Sequence, residues 1–437
     1  MGSPVHLMPR DFDLQFGPFR LKFGVGLWRD DSEVRLPPKE MALLELLVLN
    51  QGKVVKHETI YHHLWPHQSV GYQSLVRCVY SLRNALQPEG REYIRTIPKR
   101  GYRLTVPADS PWMCSHRSAL ESSIQTTPQA YSHFQAGLAS ANNPDPDSME
   151  RALYWFRESL RFDPDYAAAH AAIAEVSMIQ CFRGFIQPQE GLRVGLDACH
   201  IALSIDPNIV QAVSLRGLFE ALQQGEMETG KKSLAYAQRL DPGYSRNYAY
   251  EALVHRAEGN LQAAIASAVH AVELDPHSRY NSAVRDITLF LLGKVNEALD
   301  FERQILEHHP KEDLAHAFIS IFLATLGDCP QALEFAHKAL ALAPDIPATW
   351  GFLTWPLAVC GKTEEAADLL EKAYSAQLPR CPRPIMTPAL VALGRTDEAL
   401  SLLNEARVEQ CPWFYGAKVD PRLAALRDDQ RWKSLYG

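Results

Sequence analysis

A fixed spacing governs most of this chain. Gly225, Gly259, Gly293, Gly327 and Gly361 are each 34 residues apart, and Gly394 follows. Pro242, Pro276, Pro310 and Pro344 keep the same interval, and Ala264, Ala298, Ala332, Ala366 and Ala399 stand five residues after a glycine. A glycine can take the left-handed backbone that ends a helix. A small alanine lets a second helix approach closely, and a proline opens the next unit. The spacing therefore predicts a helix-turn-helix unit that cannot bury its apolar face alone and must stack on its neighbours.

This 34-residue period resembles the tetratricopeptide repeat. It implies an all-α superhelix over residues 129–410, with roughly eight units of which the first two are irregular. The tail, 411–437, reads as a capping segment. CFRGFIQPQEG at 181–191 breaks the helical pattern and predicts a longer inter-helix loop. Such arrays make concave surfaces that take a peptide, a partner domain or a second copy of the chain.

The N-terminal part is of another kind. The net charge of −7 gives no hint of a nucleic-acid partner, but residues 1–107 hold 15 Lys+Arg against 10 Asp+Glu. Between positions 70 and 107 there are seven basic and two acidic residues. Residues 12–35 read as short strands. LPPKEMALLELLVLNQG predicts a helix beginning near Pro37–Pro38, and a second covers roughly Lys56–Leu64. A third follows in GYQSLVRCVYSLRNALQPEG, where Leu75, Val79, Leu82 and Leu86 form a buried stripe. Away from that stripe lie Gln73, Arg77, Tyr80, Ser81 and Asn84, with no carboxylate among them. Arginine can read guanine edges in a major groove, and Asn or Gln can read adenine. YIRTIPKRGYRL at 93–104 then reads as a hairpin, with Lys99, Arg100 and Gly101 at its turn and Arg95 and Arg103 on its arms. A basic hairpin tip can follow a phosphate backbone.

Strands, three helices and a basic hairpin are the order of a winged helix. Residues 12–107 resemble the C-terminal DNA-binding domain of OmpR/PhoB-type response regulators. The resemblance runs through LPPKEMALLELLVLNQGKVV, Leu64–Trp65, SLVRCVYSLRNAL and YIRTIPKRGYRL. The PKRGYR form of the wing is most similar to one-component regulators of the ToxR, CadC and HilA-like type. The resemblance implies a recognition helix at 72–86 and a wing at 93–104. It gives Gln73, Arg77, Tyr80, Ser81 and Asn84 the groove-facing side, with Arg91, Arg95, Lys99, Arg100 and Arg103 around the wing. The family often has Asp and His near the middle of this helix, where this chain has Val76 and Cys78, and arginine in the wing where it has Pro98. These departures bear on the base sequence recognised rather than on DNA binding itself.

The expected fold is thus multidomain, with a small α+β winged helix over 1–107, a Ser/Thr/Pro-rich linker over 108–128, and an all-α superhelix. The expected function is a DNA-binding transcriptional regulator on double-stranded promoter DNA. Its repeats would serve self-association, partner binding or signal sensing, including contact with RNA polymerase. The alternative is a repeat-based scaffold whose winged helix binds protein. With the winged helix at the start, no phosphoacceptor domain is expected before it. No membrane span or secretory signal is expected either, and eight scattered cysteines without CxxC suit a reducing cytoplasm better than a disulfide scaffold. No GxxxxGK[ST], HExxH or GxSxG is present, so neither an enzyme nor a cofactor is expected. His57, His62, His63 and His67 have no cysteine at ligand spacing, and no metal is expected.

Overall fold

The computed structural model describes residues 13–16, 18–22, 26–29, 32–50, 54–64, 72–87, 90–98, 100–105, 126–141, 145–276, 278–376 and 379–437. The chain forms two compact units, Met1–Leu120 and Glu121–Gly437. The expected linker at 108–128 lies almost wholly outside the described residues.

The first unit opens with an antiparallel sheet of β1 (Asp13–Phe16), β2 (Phe19–Lys22), β3 (Gly26–Arg29) and β4 (Ser32–Val34), in that order. Alternation sets its inner face: Phe19 and Leu21 are fully buried while Arg20 between them is exposed, and Leu27 pairs opposite Leu21. Helix α1 (Pro38–Leu49) starts on a proline, whose missing N–H costs nothing in a first turn. Strand β5 (Val55–Lys56) leads into α2 (His57–Leu64), followed by α3 (Tyr72–Ala85) and the one-turn α4 (Gly90–Tyr93). Strands β6 (Ile94–Ile97) and β7 (Gly101–Leu104) close a second sheet, ordered β5-β7-β6. The sequence reads Tyr93 as the first strand residue. It ends α4 instead, with its ring buried edge-on against Phe19.

Among the described residues the second unit shows eight antiparallel helix pairs and a C-terminal segment. The first two are α5 (Pro128–Ala141) with α6 (Pro146–Phe162), and α7 (Ala167–Arg183) with α8 (Pro188–Ile205). Next come α9 (Val210–Leu222) with α10 (Met227–Leu240), α11 (Ser245–Glu258) with α12 (Leu261–Leu274), and α13 (Arg279–Leu291) with α14 (Val295–His308). The last three are α15 (Asp313–Thr325) with α16 (Cys329–Leu342), α17 (Pro347–Val359) with α18 (Thr363–Ser375), and α19 (Arg383–Ala392) with α20 (Thr396–Val408). Gly259 shows the device that recurs at Gly293, Gly327, Gly361 and Gly394: φ is +88°, and its N–H and that of Asn260 bond back to the Arg256 and His255 carbonyls. The alanines after these glycines all have zero exposure. Outer helix α12 buries only Ala264, Ala268 and Ala271, whereas α11 is buried on nearly every side.

Helices α9, α12 and α13 cover α11, and so does the C-terminal segment. That segment is more than a cap at the end of the stack. Its short helix α21 (Gln430–Tyr436) packs on α20, but the 3-10 turn Tyr415–Val419 lies against α11. Trp413 Nε1 donates to the Phe182 carbonyl at 2.9 Å, and Gln223 Nε2 donates to the Gln410 carbonyl at 3.2 Å. The superhelix also meets itself, since the Arg380 N–H donates to the Gly184 carbonyl at 2.8 Å. The interruption at 181–191 is therefore a correction to the expected long loop. Arg183 ends α7, Gly184 caps it at φ +73°, and Pro188 opens α8. Its unusual residues serve a long-range contact, because a side chain at Gly184 would strike the Arg380 carbonyl.

A second correction concerns cysteine. Cys329 and Cys360 form a disulfide with a Cα separation of 5.2 Å. They look scattered in the sequence, but 31 residues is close to one repeat, so stacking brings them together. Cys78, Cys181, Cys199, Cys381 and Cys411 are free and buried. Among the described residues no helix is long and apolar enough to cross a membrane.

Candidate nucleic-acid interface

Helix α3 is held by the predicted stripe: Leu75, Val79, Leu82 and Leu86 are all buried in the core of the first unit. This fixes the opposite face outward. Arg77 and Asn84 are exposed, Tyr80 is 62% exposed, and Ser81 is half-buried. Asn84 Oδ1 accepts from Gln87 Nε2 at 3.3 Å. Arg77 and Tyr80 have no hydrogen bond or ion pair within the described residues. Gln73 lies in the first turn of α3, and its side chain is outside the described residues, as is that of Arg91 in α4 and the whole of Lys99. Cys78 is buried at 4% exposure, and burial pushes its thiol up to about 12, so it packs and does not react.

The hairpin register separates the two faces of the wing. Ile94 pairs with Leu104 and Thr96 with Tyr102, while Arg95 pairs directly with Arg103. Two arginines directly opposite on one face repel each other. Arg95 is exposed, and the half-buried Arg103 has a buried Nε without a hydrogen-bond partner among the described residues. Arg100 is exposed at the tip, and its N–H donates to the Ile97 carbonyl at 3.0 Å.

Gly101 corrects the sequence reading. It belongs to β7 and not to the turn, with φ +154°. A Cβ there would lie 1.9 Å from the Val55 carbonyl oxygen, so glycine is needed for β5 and β7 to approach. The tip is fastened further where the His57 N–H donates to the Arg100 carbonyl at 3.3 Å.

One residue that joins these parts has no signal in the sequence pattern. Arg83 of α3 donates from Nε to the Ile94 carbonyl at 3.0 Å and from Nη2 to Thr96 Oγ1 at 3.0 Å. Its guanidinium also lies 6.0 Å from the Tyr102 ring centroid. Helix α3 and the wing are thereby joined through one side chain. These bonds cross 11 to 13 residues and two element types, which helical spacing cannot reveal.

A buttressed helix with a carboxylate-free outer face, followed by a basic two-stranded wing, defines the first unit as a winged-helix domain. Residues 31–104 match the family described as "Transcriptional regulatory protein, C terminal". The chain is 37% identical over 106 residues to "Transcriptional regulator HilA" of Salmonella typhi, a match covering 24% of this chain and 19% of that protein. It is 38% identical over 80 residues to "Transcriptional regulatory protein CutR" of Streptomyces coelicolor, covering 18% of this chain and 36% of that one. "Transcriptional activator CadC" of Escherichia coli is 28% identical over 82 residues, covering 18% and 16%. The matched region is thus about a fifth of the length of the first of these relatives. Among solved structures, the human IFIT1 dimer with m7Gppp-AAAA is similar at a TM-score of 0.50 and 15% identity, covering 85% of this chain and 95% of that one. A tetratricopeptide repeat protein from Parabacteroides merdae covers 62% of this chain and 98% of its own, at 15% identity and a TM-score of 0.39. The IFIT1 likeness concerns fold alone.

Proposed function

We propose that this chain is a DNA-binding transcriptional regulator that holds promoter DNA through α3 and the wing. The observation that carries this reading is the pairing of Arg95 with Arg103 beside a helix whose outward side chains are Arg77, Tyr80 and Asn84. A like-charge pair costs folding energy, and a polyanion removes that cost. In this reading Arg77, Tyr80, Ser81, Asn84 and Gln73 read base edges, and Arg91, Arg95, Lys99, Arg100 and Arg103 position the backbone. The helical array supplies self-association or protein contact, RNA polymerase included. The reading places the protein in the cytoplasm and gives it no catalytic role.

The test compares a selected duplex with a random one. Arg77→Ala should cost about 1–3 kcal/mol on the selected duplex if Arg77 makes a bidentate contact with guanine. It should cost much less on random DNA. Equal losses on both duplexes would refute the reading role of Arg77.

A further inference from the structure

The inner face of the array carries a buried cation with no counter-ion of its own. Arg256 lies near the end of α11 at 6% exposure. Its Nε and Nη1 are buried and make no hydrogen bond within the described residues. The backbone of the 3-10 turn covers the guanidinium: a Cβ placed on Gly416 would be 3.7 Å from both Nε and Nη2. Burial lowers the arginine's pKa to about 10, which leaves it charged at neutral pH.

Its surroundings do not neutralise it. Asp420 is the carboxylate that acts on Arg256. That carboxylate is already gripped by Arg422 through Nε at 3.0 and 3.2 Å and Nη2 at 2.6 Å. Arg422 is itself fixed between the rings of Phe290 and Trp355, 5.2 Å from each centroid. Glu175 is likewise taken, by Arg246 at 2.8 Å and Gln211 at 3.3 Å. Two arginines therefore share one carboxylate in the interior.

The neighbouring donor is Tyr280, and the guanidinium of Arg246 lies 4.9 Å from its ring centroid. Tyr280 acts electrostatically on Arg256, and its ring centroid lies 5.9 Å from that of Tyr250. Both hydroxyls are buried without a hydrogen-bond partner among the described residues. A bridging water would satisfy these hydroxyls, but it would not balance the charge. An oxyanion does both, because the guanidinium fork matches carboxylate and phosphate geometry.

We infer that the array interior beneath Tyr415–Val419 is an effector site for a small oxyanion, a phosphate or carboxylate group, held by Arg256 and Tyr280. Ligand entry lifts the 3-10 turn, so occupancy is coupled to the seating of the C-terminal segment. The site depends on no property of the DNA-binding unit.

The test is the thermal midpoint of the array in the full-length chain. Sodium chloride is replaced at constant ionic strength by sodium phosphate in one arm and sodium acetate in the other. The wild type should show a saturable rise in at least one arm, and the arm that responds names the group. Arg256→Met should abolish that rise and should melt higher than the wild type in chloride, because an unpaired buried charge has been removed. Tyr280→Phe should weaken the apparent affinity about fivefold to tenfold, the loss of one hydrogen bond. Three results would overturn the site. One is no saturable response to either anion. Another is an equal response in wild type and Arg256→Met. The third is an Arg256→Met chain that melts lower in chloride or fails to fold, which would make the guanidinium a structural element.

Discussion

Replacing Arg83 by alanine should uncouple the wing from α3. The guanidinium reaches the carbonyl of the fully buried Ile94 with Nε at 3.0 Å and the Thr96 hydroxyl with Nη2 at 3.0 Å. A hydrogen bond from a charged donor to a buried acceptor contributes about 1.5–3 kcal/mol net. The more exposed bond to Thr96 and the contact with Tyr102 add about 0.5 kcal/mol each at most. The sum is about 1.5–4 kcal/mol, or roughly 10- to 900-fold in the local opening of the wing. Hydrogen exchange on the full-length chain reads this directly. Amides of 94–97 and 101–104 should lose that factor of protection, while those of α1 should change little. Arg83→Lys keeps the charge and a single donor group, and should recover about half of the free energy. Protection at β6 and β7 within about threefold of wild type for Arg83→Ala would refute the claim that Arg83 joins helix and wing.

Other perturbations test other parts of the account. Gly101→Ala would put a Cβ 1.9 Å from the Val55 carbonyl, so it should part β5 from β7. The first unit should then lose about 2 kcal/mol or more of stability in urea titration; an unchanged midpoint would contradict the close approach. Phe414, at 2% exposure, stacks on Tyr436 with centroids 4.7 Å apart. Phe414→Ala should cost about 3–5 kcal/mol and increase proteolysis after residue 411, whereas wild-type resistance would show that the C-terminal segment is seated by other contacts. Glu302 is fully buried against Arg279 and Asp286, and burial raises its carboxyl to about 8. An acid whose folded pKa is raised gives stability that is complete below the unfolded value and is lost as pH rises through the folded one. The array's melting midpoint should therefore fall between about pH 5 and pH 8 in wild type and less in Glu302→Gln. Equal slopes would place the titration elsewhere.

The sequence made some of these features legible because they are periodic. The Leu75–Leu86 stripe oriented α3, and glycines at one spacing located the helix pairs, since both signals repeat along a single element. Features that depend on distant chain segments left no such trace. Arg83 stands beside Leu82 in a polar stretch, and nothing in its spacing shows that it reaches β6. Gly101 reads as a turn glycine until Val55 is seen against it. The tail at 411–437 reads as a polar cap, yet Trp413 bonds to Phe182 across 231 residues and the 3-10 turn fills the inner face at α11. The Cys329–Cys360 disulfide was hidden in the same way, by a contact one repeat apart.

The central claim is that the full-length chain binds specific duplex DNA through α3 and the wing. Selection of bound duplexes from a random pool, followed by affinity measurement over a range of salt, tests it most directly. A recovered motif and a falling log affinity with log salt are expected. Replacing Arg95 and Arg100 together should reduce the magnitude of that slope by about two while leaving the preferred motif in place. A pool that yields no motif, or a slope that the double replacement leaves unchanged, would contradict it.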